Sequence, residues 1–147
     1  SNTGSKEYDV VKKKISENVE KIHNSISILL ENLDLEMTDC FVMGFSQGGM
    51  MAFELGQILQ NQLAGLAIIS SRIISKEHKP NNAFLKTPIF ISHGGNDAVL
   101  PISNYNDSVQ VLKNYNYNFE NYLIEKDEHT MSQETITLFQ NFIKKNI

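Results

Sequence analysis

The fold of this chain is most constrained by the six residues GFSQGG at positions 44–49. They follow an apolar run at 40–43 and precede a stretch at 50–55 that is typical of the first turns of a helix. A strand that turns into a helix within so few residues strains its middle residue, and the glycines at 44 and 48 remove Cβ atoms that would collide. The Gly44-x-Ser46-x-Gly48 spacing therefore predicts a nucleophile elbow. The alternative is a glycine-rich turn in which Ser46 only caps the helix.

The rest of the chain alternates between predicted helices and strands. Apolar residues recur at three- and four-residue steps from Val11 to Leu33, which predicts an amphipathic helix over about residues 8–33. Further runs predict strands at 40–45, 63–70, 88–93 and 119–125 and helices at 47–60, 103–115 and 132–145. Residues 73–86 predict a long, polar, irregular loop with one turn, which includes a surface histidine, His78. Crossovers of this length favour an α/β fold with about four mostly parallel strands flanked by helices. We expect a single domain over residues 1–147.

Composition excludes several classes of function. The net charge of −4 and the absence of a basic stripe argue against a nucleic-acid partner. No apolar run approaches the roughly 20 residues of a transmembrane segment, and the polar start at 1–6 is unlike a signal peptide. A single cysteine, Cys40, excludes an internal disulfide, is expected to be buried, and favours a reducing, cytoplasmic location. Because the sequence lacks an initiator Met, we expect part of the protein to precede it.

Three predicted strands end in residues of reactive type. Ser46 follows the first strand, Asp97 the third and His129 the fourth. In parallel α/β sheets ligands bind beyond the carboxyl ends of the strands, so these side chains are expected to meet. The order Ser, Asp, His is that of an α/β-hydrolase triad. An alcohol is a poor nucleophile at neutral pH, so His129 would take the Ser46 proton while Asp97 orients and stabilises the imidazole.

Other residues compete for these roles. His93 precedes Asp97 and lies against a glycine, where it is expected to shape the turn. Asp107 lies within a predicted helix, and Asp127 is too near His129 in sequence to reach its far nitrogen easily. Each member of the triad also has a non-catalytic interpretation, as a cap, a turn aspartate or an exposed loop histidine.

The segments GFSQGG at 44–49, HGGNDAVLP at 93–101 and HTMS at 129–132 resemble the three signature segments of the carboxylesterase/acyl-protein thioesterase (phospholipase/carboxylesterase) family. The resemblance implies the C-terminal portion of an α/β-hydrolase three-layer sandwich. It also implies a serine hydrolase without metal or cofactor that cleaves small-molecule or lipid acyl esters or thioesters through an acyl-enzyme on Ser46. Asp97 would be its acid and His129 its base. The sequence departs from the family at Glu128, which stands where a glycine is common before the histidine. Together with Asp127 it puts two carboxylates next to His129, which are expected to affect the protonation or approach of this histidine.

A second departure concerns the oxyanion hole. An α/β-hydrolase uses two backbone amides, one from the residue after the nucleophile, here Gln47, and one from an earlier strand–helix loop. Residues 1–39 contain one predicted helix and no strand, so we expect the C-terminal part of a longer hydrolase. The strand at 40–45 would then be an open edge, covered by the N-terminal segment or by a second copy in a homodimer.

Two other functions remain open from sequence: a catalytically impaired fragment that serves as an assembly or binding module, and a serine hydrolase that acts on peptides or transfers acyl groups to an alcohol. The acyl chain length is not readable. We expect Met50 and Met51 to pack in the core, whereas Met131 has no assigned role.

Overall fold

The computed structural model describes residues 3–147, with side chains from residue 9 onward, so Ser1 and Asn2 of the polar start lie outside the described residues. Within this range five α-helices alternate with four strands, and each predicted strand is present with bounds that differ by at most two residues. The elements are α1 (Thr3–Leu33), β1 (Phe41–Phe45), α2 (Gln47–Ile58), β2 (Gly65–Ile69), α3 (Asn82–Lys86), β3 (Ile89–Gly94), α4 (Ile102–Asn114), β4 (Phe119–Ile124) and α5 (Gln133–Lys145), with a 3₁₀ turn at Met37–Asp39.

The four strands form one parallel sheet in the order β1-β2-β3-β4. Every residue of β2 and β3 is buried, as expected for central strands covered on both faces, whereas β1 and β4 are the edges of the sheet. The predicted α/β architecture with four mostly parallel strands flanked by helices is confirmed. Because the strands are parallel, their carboxyl ends lie along the same side of the sheet, where the loops after β1, β3 and β4 converge.

The two faces of the sheet carry separate apolar clusters. Leu66 and Ile68 of β2 point into the larger cluster, which also receives buried residues from α1, α2 and α4. Ala67 and Ile69 point into the smaller cluster, where Phe142 of α5 is buried. Alternation along one strand therefore produces a helix–sheet–helix arrangement.

The apolar stripe of α1 is only partly buried. Ile15 and Val19 lie in the core, as predicted, but Leu29 and Leu33 are 56% and 57% exposed. In the second half of the helix, Ile26 packs on the larger cluster and Leu30 is buried. The prediction that one apolar face of the whole helix packs on the core was therefore wrong at Leu29 and Leu33. α1 packs against α2 near the edge of the sheet.

The segment between β2 and β3 is irregular over residues 70–81 and then forms the short helix α3, which agrees with the predicted long loop containing one turn. The N-cap residue of α3, Asn81, accepts from the Phe84 amide. The mostly polar composition did not reveal that Ile73 and Ile74 are buried, or that the Ile73 amide donates to Ser108 Oγ of α4 at 2.8 Å.

His78 was expected to be a surface residue and is instead half-buried among aromatic rings. Its Nε2 lies 2.7 Å from Tyr117 Oη and its Nδ1 lies 2.9 Å from the Ser75 carbonyl oxygen. The Tyr115 ring stacks at 4.4 Å between centroids. The carbonyl only accepts, so the Nδ1–H donates to it and Nε2 accepts from the tyrosine.

Cys40 is half-buried rather than fully buried, and its thiol donates to the Glu36 carbonyl oxygen at 3.5 Å. Burial, with a smaller effect of the Asp39 carboxylate, raises the pKa of this thiol, which fits a structural thiol rather than a reactive one.

Among the described helices, none is long and apolar enough to cross a membrane.

Candidate active site

Ser46 occupies the turn between β1 and α2 in a strained conformation, with φ of 54° and ψ of −123°. Its amide donates to the Ile69 carbonyl oxygen of β2 at 2.9 Å, which fixes the turn to the neighbouring strand. The side chain makes no helix-capping hydrogen bond, so the interpretation of Ser46 as a cap is wrong. A non-glycine residue held in this region is typical of sites where backbone strain serves function.

The two glycines of the predicted elbow are not equivalent. A Cβ on Gly44 would lie 2.0 Å from the Gly48 carbonyl oxygen, which no side chain tolerates. A Cβ on Gly48 would meet no atom within 4 Å, so the expectation that Gly48 relieves a collision was wrong. The second position without room for a side chain is Gly49, where a Cβ would lie 2.5 Å from Ser71 Cβ. The carbonyl group of Gly48 faces Gly44, whereas its α-carbon faces open space.

The structure brings Ser46, Asp97 and His129 into one chain of hydrogen bonds. His129 Nε2 lies 3.1 Å from Ser46 Oγ, and His129 Nδ1 lies 2.7 Å from Asp97 Oδ2. The imidazole is 17% exposed, while the carboxylate is fully buried. Because an ionised carboxylate only accepts, the proton is assigned to Nδ1, which leaves the lone pair of Nε2 directed at the serine hydroxyl.

Asp97 is held ionised by its surroundings. Its Oδ1 accepts from the amides of Val99 and Leu100, each at 2.8 Å. Burial alone raises the pKa of the Asp97 carboxyl. The hydrogen bonds from the Leu100 amide, from His129 and from the Val99 amide outweigh that effect, so this pKa lies below its ordinary value.

The competing residues take no part in this chain of hydrogen bonds, although His93 Nε2 lies 3.5 Å from Asp97 Oδ2. His93 is fully buried, and its Nε2–H donates to the Leu100 carbonyl oxygen at 2.8 Å, so it shapes the turn after β3 as predicted. Asp107 pairs with Lys76 on the surface at 2.9 Å. Asp127 accepts from the Thr135 hydroxyl at 3.5 Å.

Sequence reasoning missed two serines that support the site. Ser71 Oγ donates a short hydrogen bond to the carbonyl oxygen of Ser46 itself. Ser70, at φ of 49°, donates from Oγ to the Thr130 carbonyl oxygen at 3.3 Å, next to His129. Their position directly after β2, at the carboxyl end of a central strand, was the signal that could have identified them.

Phe45 also contacts the site, since its ring lies 5.0 Å from the His129 ring at a tilt of 49°. Glu128, the departure from the family pattern, has an exposed side chain. Its backbone packs closely on Gly94, since a Cβ on Gly94 would lie 2.3 Å from the Glu128 carbonyl oxygen. The contact of the 127–129 loop with β3 thus depends on the glycine at 94.

Gln47 is the first residue of α2, where backbone amides have no acceptor within the helix. Its amide is therefore available as an oxyanion donor. Within residues 3–147 no strand precedes β1, so the described chain offers no strand–helix loop of the kind that supplies the second donor.

The three methionines near the site differ in their packing. Met50 is buried in the larger core cluster, as predicted, and Met131 packs on the smaller one. Met51 is partly buried and lines a groove of about 200 Å³ that Met43 and Gly48 also line. In the described part of the chain, no group of three or more His, Cys, Asp or Glu side chains is placed to hold a metal ion.

Comparison with known proteins adds independent evidence. The model of the phospholipase/carboxylesterase family matches residues 3–147. Acyl-protein thioesterase 1 of Saccharomyces cerevisiae is 32% identical over an alignment of 115 residues, and the match covers 71% of this chain and 48% of that protein. The corresponding protein of Debaryomyces hansenii is 29% identical over an alignment of 133 residues, and the match covers 84% of this chain and 55% of that protein. The chain thus spans about half the length of these curated relatives.

Solved structures support the fold. The crystal structure of Arabidopsis thaliana SOBER1 superimposes with a TM-score of 0.81 at 22% identity, covering 90% of this chain and 64% of that one. The Bacillus cereus carboxylesterase superimposes with a TM-score of 0.81 at 15% identity, covering 92% of this chain and 63% of that one. At these identities the likeness concerns the fold, which is that of an α/β-hydrolase.

Proposed function

The chain belongs to the phospholipase/carboxylesterase family, and we propose that it carries the catalytic triad of a serine hydrolase that cleaves acyl esters or thioesters. The observation that carries this proposal is the position of His129, which hydrogen-bonds Ser46 Oγ at 3.1 Å and Asp97 Oδ2 at 2.7 Å. These three groups are the nucleophile, base and acid that acyl transfer needs.

In the first half of the reaction, Ser46 Oγ attacks the carbonyl carbon of the ester while its proton passes to His129 Nε2. The imidazolium that forms is stabilised by the Asp97 carboxylate on Nδ1. The negative charge on the carbonyl oxygen of the tetrahedral intermediate is stabilised by the Gln47 amide at the N-terminus of α2. The intermediate then expels the alcohol or thiol, which takes the proton from Nε2, and leaves the acyl group on Ser46.

In the second half, water enters where the leaving group stood. His129 Nε2 removes a proton from that water, and the resulting hydroxide attacks the acyl-enzyme. Collapse of the second tetrahedral intermediate returns the proton to Ser46 Oγ and releases the carboxylic acid. Small-molecule or lipid acyl esters are the proposed substrates. A peptide substrate or an alcohol acceptor would use the same acyl-enzyme.

A fluorophosphonate probe tests the nucleophile, because it reacts with an activated serine and with few other groups. We expect covalent labelling at Ser46, located by peptide mapping, and its loss in Ser46→Ala. Labelling that is absent from the wild type would contradict the proposal for the protein as tested. Assays with matched ester, thioester and peptide substrates then identify the leaving group that the enzyme prefers.

A second candidate function is an assembly or binding module that retains the triad without a competent oxyanion hole. It is favoured by the absence, within residues 3–147, of any strand before β1. Removing one oxyanion donor lowers kcat by about 100- to 1,000-fold in serine hydrolases. Normal folding together with no labelling at Ser46 would support this alternative.

We further propose that another polypeptide covers the free edge of β1. The candidates are an N-terminal segment of the same protein and a second copy of the chain in a homodimer. Met43 and Phe45 are exposed on β1, which is an edge strand of the described sheet. The unpaired backbone groups of an apolar edge strand can form hydrogen bonds with a strand of another polypeptide. Light scattering of the purified protein distinguishes a monomer from a dimer.

We also propose a cytoplasmic location for the protein, supported by its single free thiol.

A further inference from the structure

Arg72 is the single arginine of the chain and is adjacent in sequence to a residue that contacts the nucleophile turn. It follows Ser71, whose hydroxyl donates to the Ser46 carbonyl oxygen, and it comes three residues after the end of β2. Consecutive Cα atoms are about 3.8 Å apart, so the backbone of Arg72 begins next to a residue in direct contact with the nucleophile turn.

The guanidinium of Arg72 has no partner in the described part of the chain. Arg72 is partly buried, and its Nε is a buried donor without a hydrogen-bond acceptor among these residues. The ion pairs among the described residues join Lys76 to Asp107 and Lys145 to Glu120, and the two histidines near Asp97 are His93 and His129, so none of these contacts involves Arg72. An arginine is charged at every physiological pH, and buried charges in proteins are normally paired. The buried Nε–H therefore has an unused hydrogen bond that an anion in contact with the guanidinium would accept.

A cleft of about 550 Å³ surrounds this side chain, a volume within the range of small-molecule sites. Lys76 lines the cleft but is already paired with Asp107 at 2.9 Å. Glu77 is the one acidic residue in the lining, and it forms no ion pair with Arg72. The other lining residues are Ile73 and Ile74, which are themselves buried in the larger core cluster.

We propose that Arg72 binds an oxyanion, a carboxylate or a phosphate, carried by the acyl ester or thioester that Ser46 attacks. The planar fork of the guanidinium matches either group with two parallel hydrogen bonds. This substrate class rests on the hydrolase function proposed above and adds to it a preference for negatively charged esters. The charge is located in the acyl chain, as in the half-ester of a dicarboxylic acid, or in the leaving group, as in an acyl glycerol phosphate.

Substrate pairs separate these two locations. In the full-length protein, kcat/KM is measured for 4-nitrophenyl butyrate against 4-nitrophenyl hemisuccinate, and for a monoacylglycerol against the same monoacylglycerol phosphate. We expect the charged member of one pair to be preferred by about 10- to 100-fold, the effect of one charge-assisted hydrogen-bonded contact. Equal rates within both pairs, with the neutral esters hydrolysed, would overturn the proposal and leave the hydrolase function intact.

Variants assign the preference to Arg72. Arg72→Gln is expected to lower the ratio of charged to neutral kcat/KM about 10- to 100-fold, mainly through KM, and Arg72→Lys to lower it less. Glu77→Gln removes the opposing charge from the same cleft and is expected to raise the ratio a few-fold. Lys144→Gln, on the exposed side of α5, makes the same change in net charge and is expected to leave the ratio unchanged. A preference that survives in Arg72→Gln would contradict the assignment.

A readout that needs no turnover completes the test. Phenylglyoxal modifies arginine side chains, and the modification of the peptide that contains Arg72 is followed by mass spectrometry with inorganic phosphate or succinate present. We expect either anion to slow the modification at millimolar concentration, relative to chloride at equal ionic strength. If neither anion slows the modification, the proposal for Arg72 is overturned, whether or not the protein hydrolyses esters. A failure to hydrolyse any ester would instead count against the hydrolase function.

Discussion

The contrast between Gly48 and Gly49 yields a sharp prediction, because the same substitution at adjacent residues should have opposite effects on stability. Both residues lie in the first turn of α2, and neither has a positive φ. Alanine is preferred over glycine in a helix by about 0.5–1 kcal/mol. A Cβ at 48 meets no atom within 4 Å, so Gly48→Ala is expected to stabilise the protein by up to that amount.

At position 49 the same gain is opposed by a collision. The new Cβ would lie 2.5 Å from Ser71 Cβ and 3.1 Å from the Gly44 carbonyl oxygen, while the Ser71 hydroxyl is bonded to the Ser46 carbonyl. Inserting a methyl group into such a packed site costs about 1–3 kcal/mol. The helix-propensity gain is common to both variants, so the difference between their unfolding free energies, measured in urea, is expected to be about 1–3 kcal/mol.

A double-mutant cycle tests the cause. Ser71→Gly removes the Cβ that Gly49→Ala would meet, so Gly49→Ala should be less destabilising in the Ser71→Gly background by about 1 kcal/mol or more. Equal stability of Gly48→Ala and Gly49→Ala, or a Gly49→Ala effect that is independent of Ser71, would refute the reasoning.

Three further substitutions test hydrogen bonds of the site and of the core. Asp97→Asn is expected to lower kcat by about 10⁴-fold, as for the aspartate of serine-protease triads. Because the folded protein lowers the pKa of Asp97, its ionisation stabilises the fold above the ordinary carboxyl pKa and this contribution is lost as pH falls below about 4, so acid unfolding should depend less on pH in Asp97→Asn. Ser70→Ala removes the bond to the Thr130 carbonyl and should lower kcat several-fold with little change in KM, whereas an unchanged kcat would show that the loop is held otherwise. Tyr117→Phe removes the donor to His78 Nε2 and should destabilise the protein by about 1 kcal/mol in urea, with no change in labelling at Ser46.

Both the positions of the strands and the proximity of Ser46, Asp97 and His129 were predictable from sequence. Apolar runs identify buried strands, and in a parallel sheet all carboxyl ends lie on one side. Ser46, Asp97 and His129 each follow a strand, so their proximity follows from the topology. Their catalytic roles remain predictions until the labelling experiment is done.

What sequence did not reveal depends on contacts between distant residues. The need for glycine at 49 comes from Ser71, which is 22 residues away and belongs to the segment after another strand. His78 lies in a polar segment, and its partner Tyr117 is 39 residues further on. Leu29 and Leu33 of α1, which are exposed, follow the same apolar periodicity as Ile15 and Val19, which are buried. Local pattern reports which face is apolar, but not whether another element covers it.

The order of the strands has a consequence for how the protein acquires its reactivity during folding. His129 is 83 residues from Ser46 and 32 from Asp97, and β2 and β3 lie between the strands that precede the serine and the histidine. Helices form from local contacts in microseconds, whereas parallel strands pair only after long crossovers close. The Ser46–His129 hydrogen bond therefore forms after the whole sheet is assembled. In a refolding experiment the probe reactivity of Ser46 should return later than the helical circular dichroism, which makes this serine a reporter of the final step of folding.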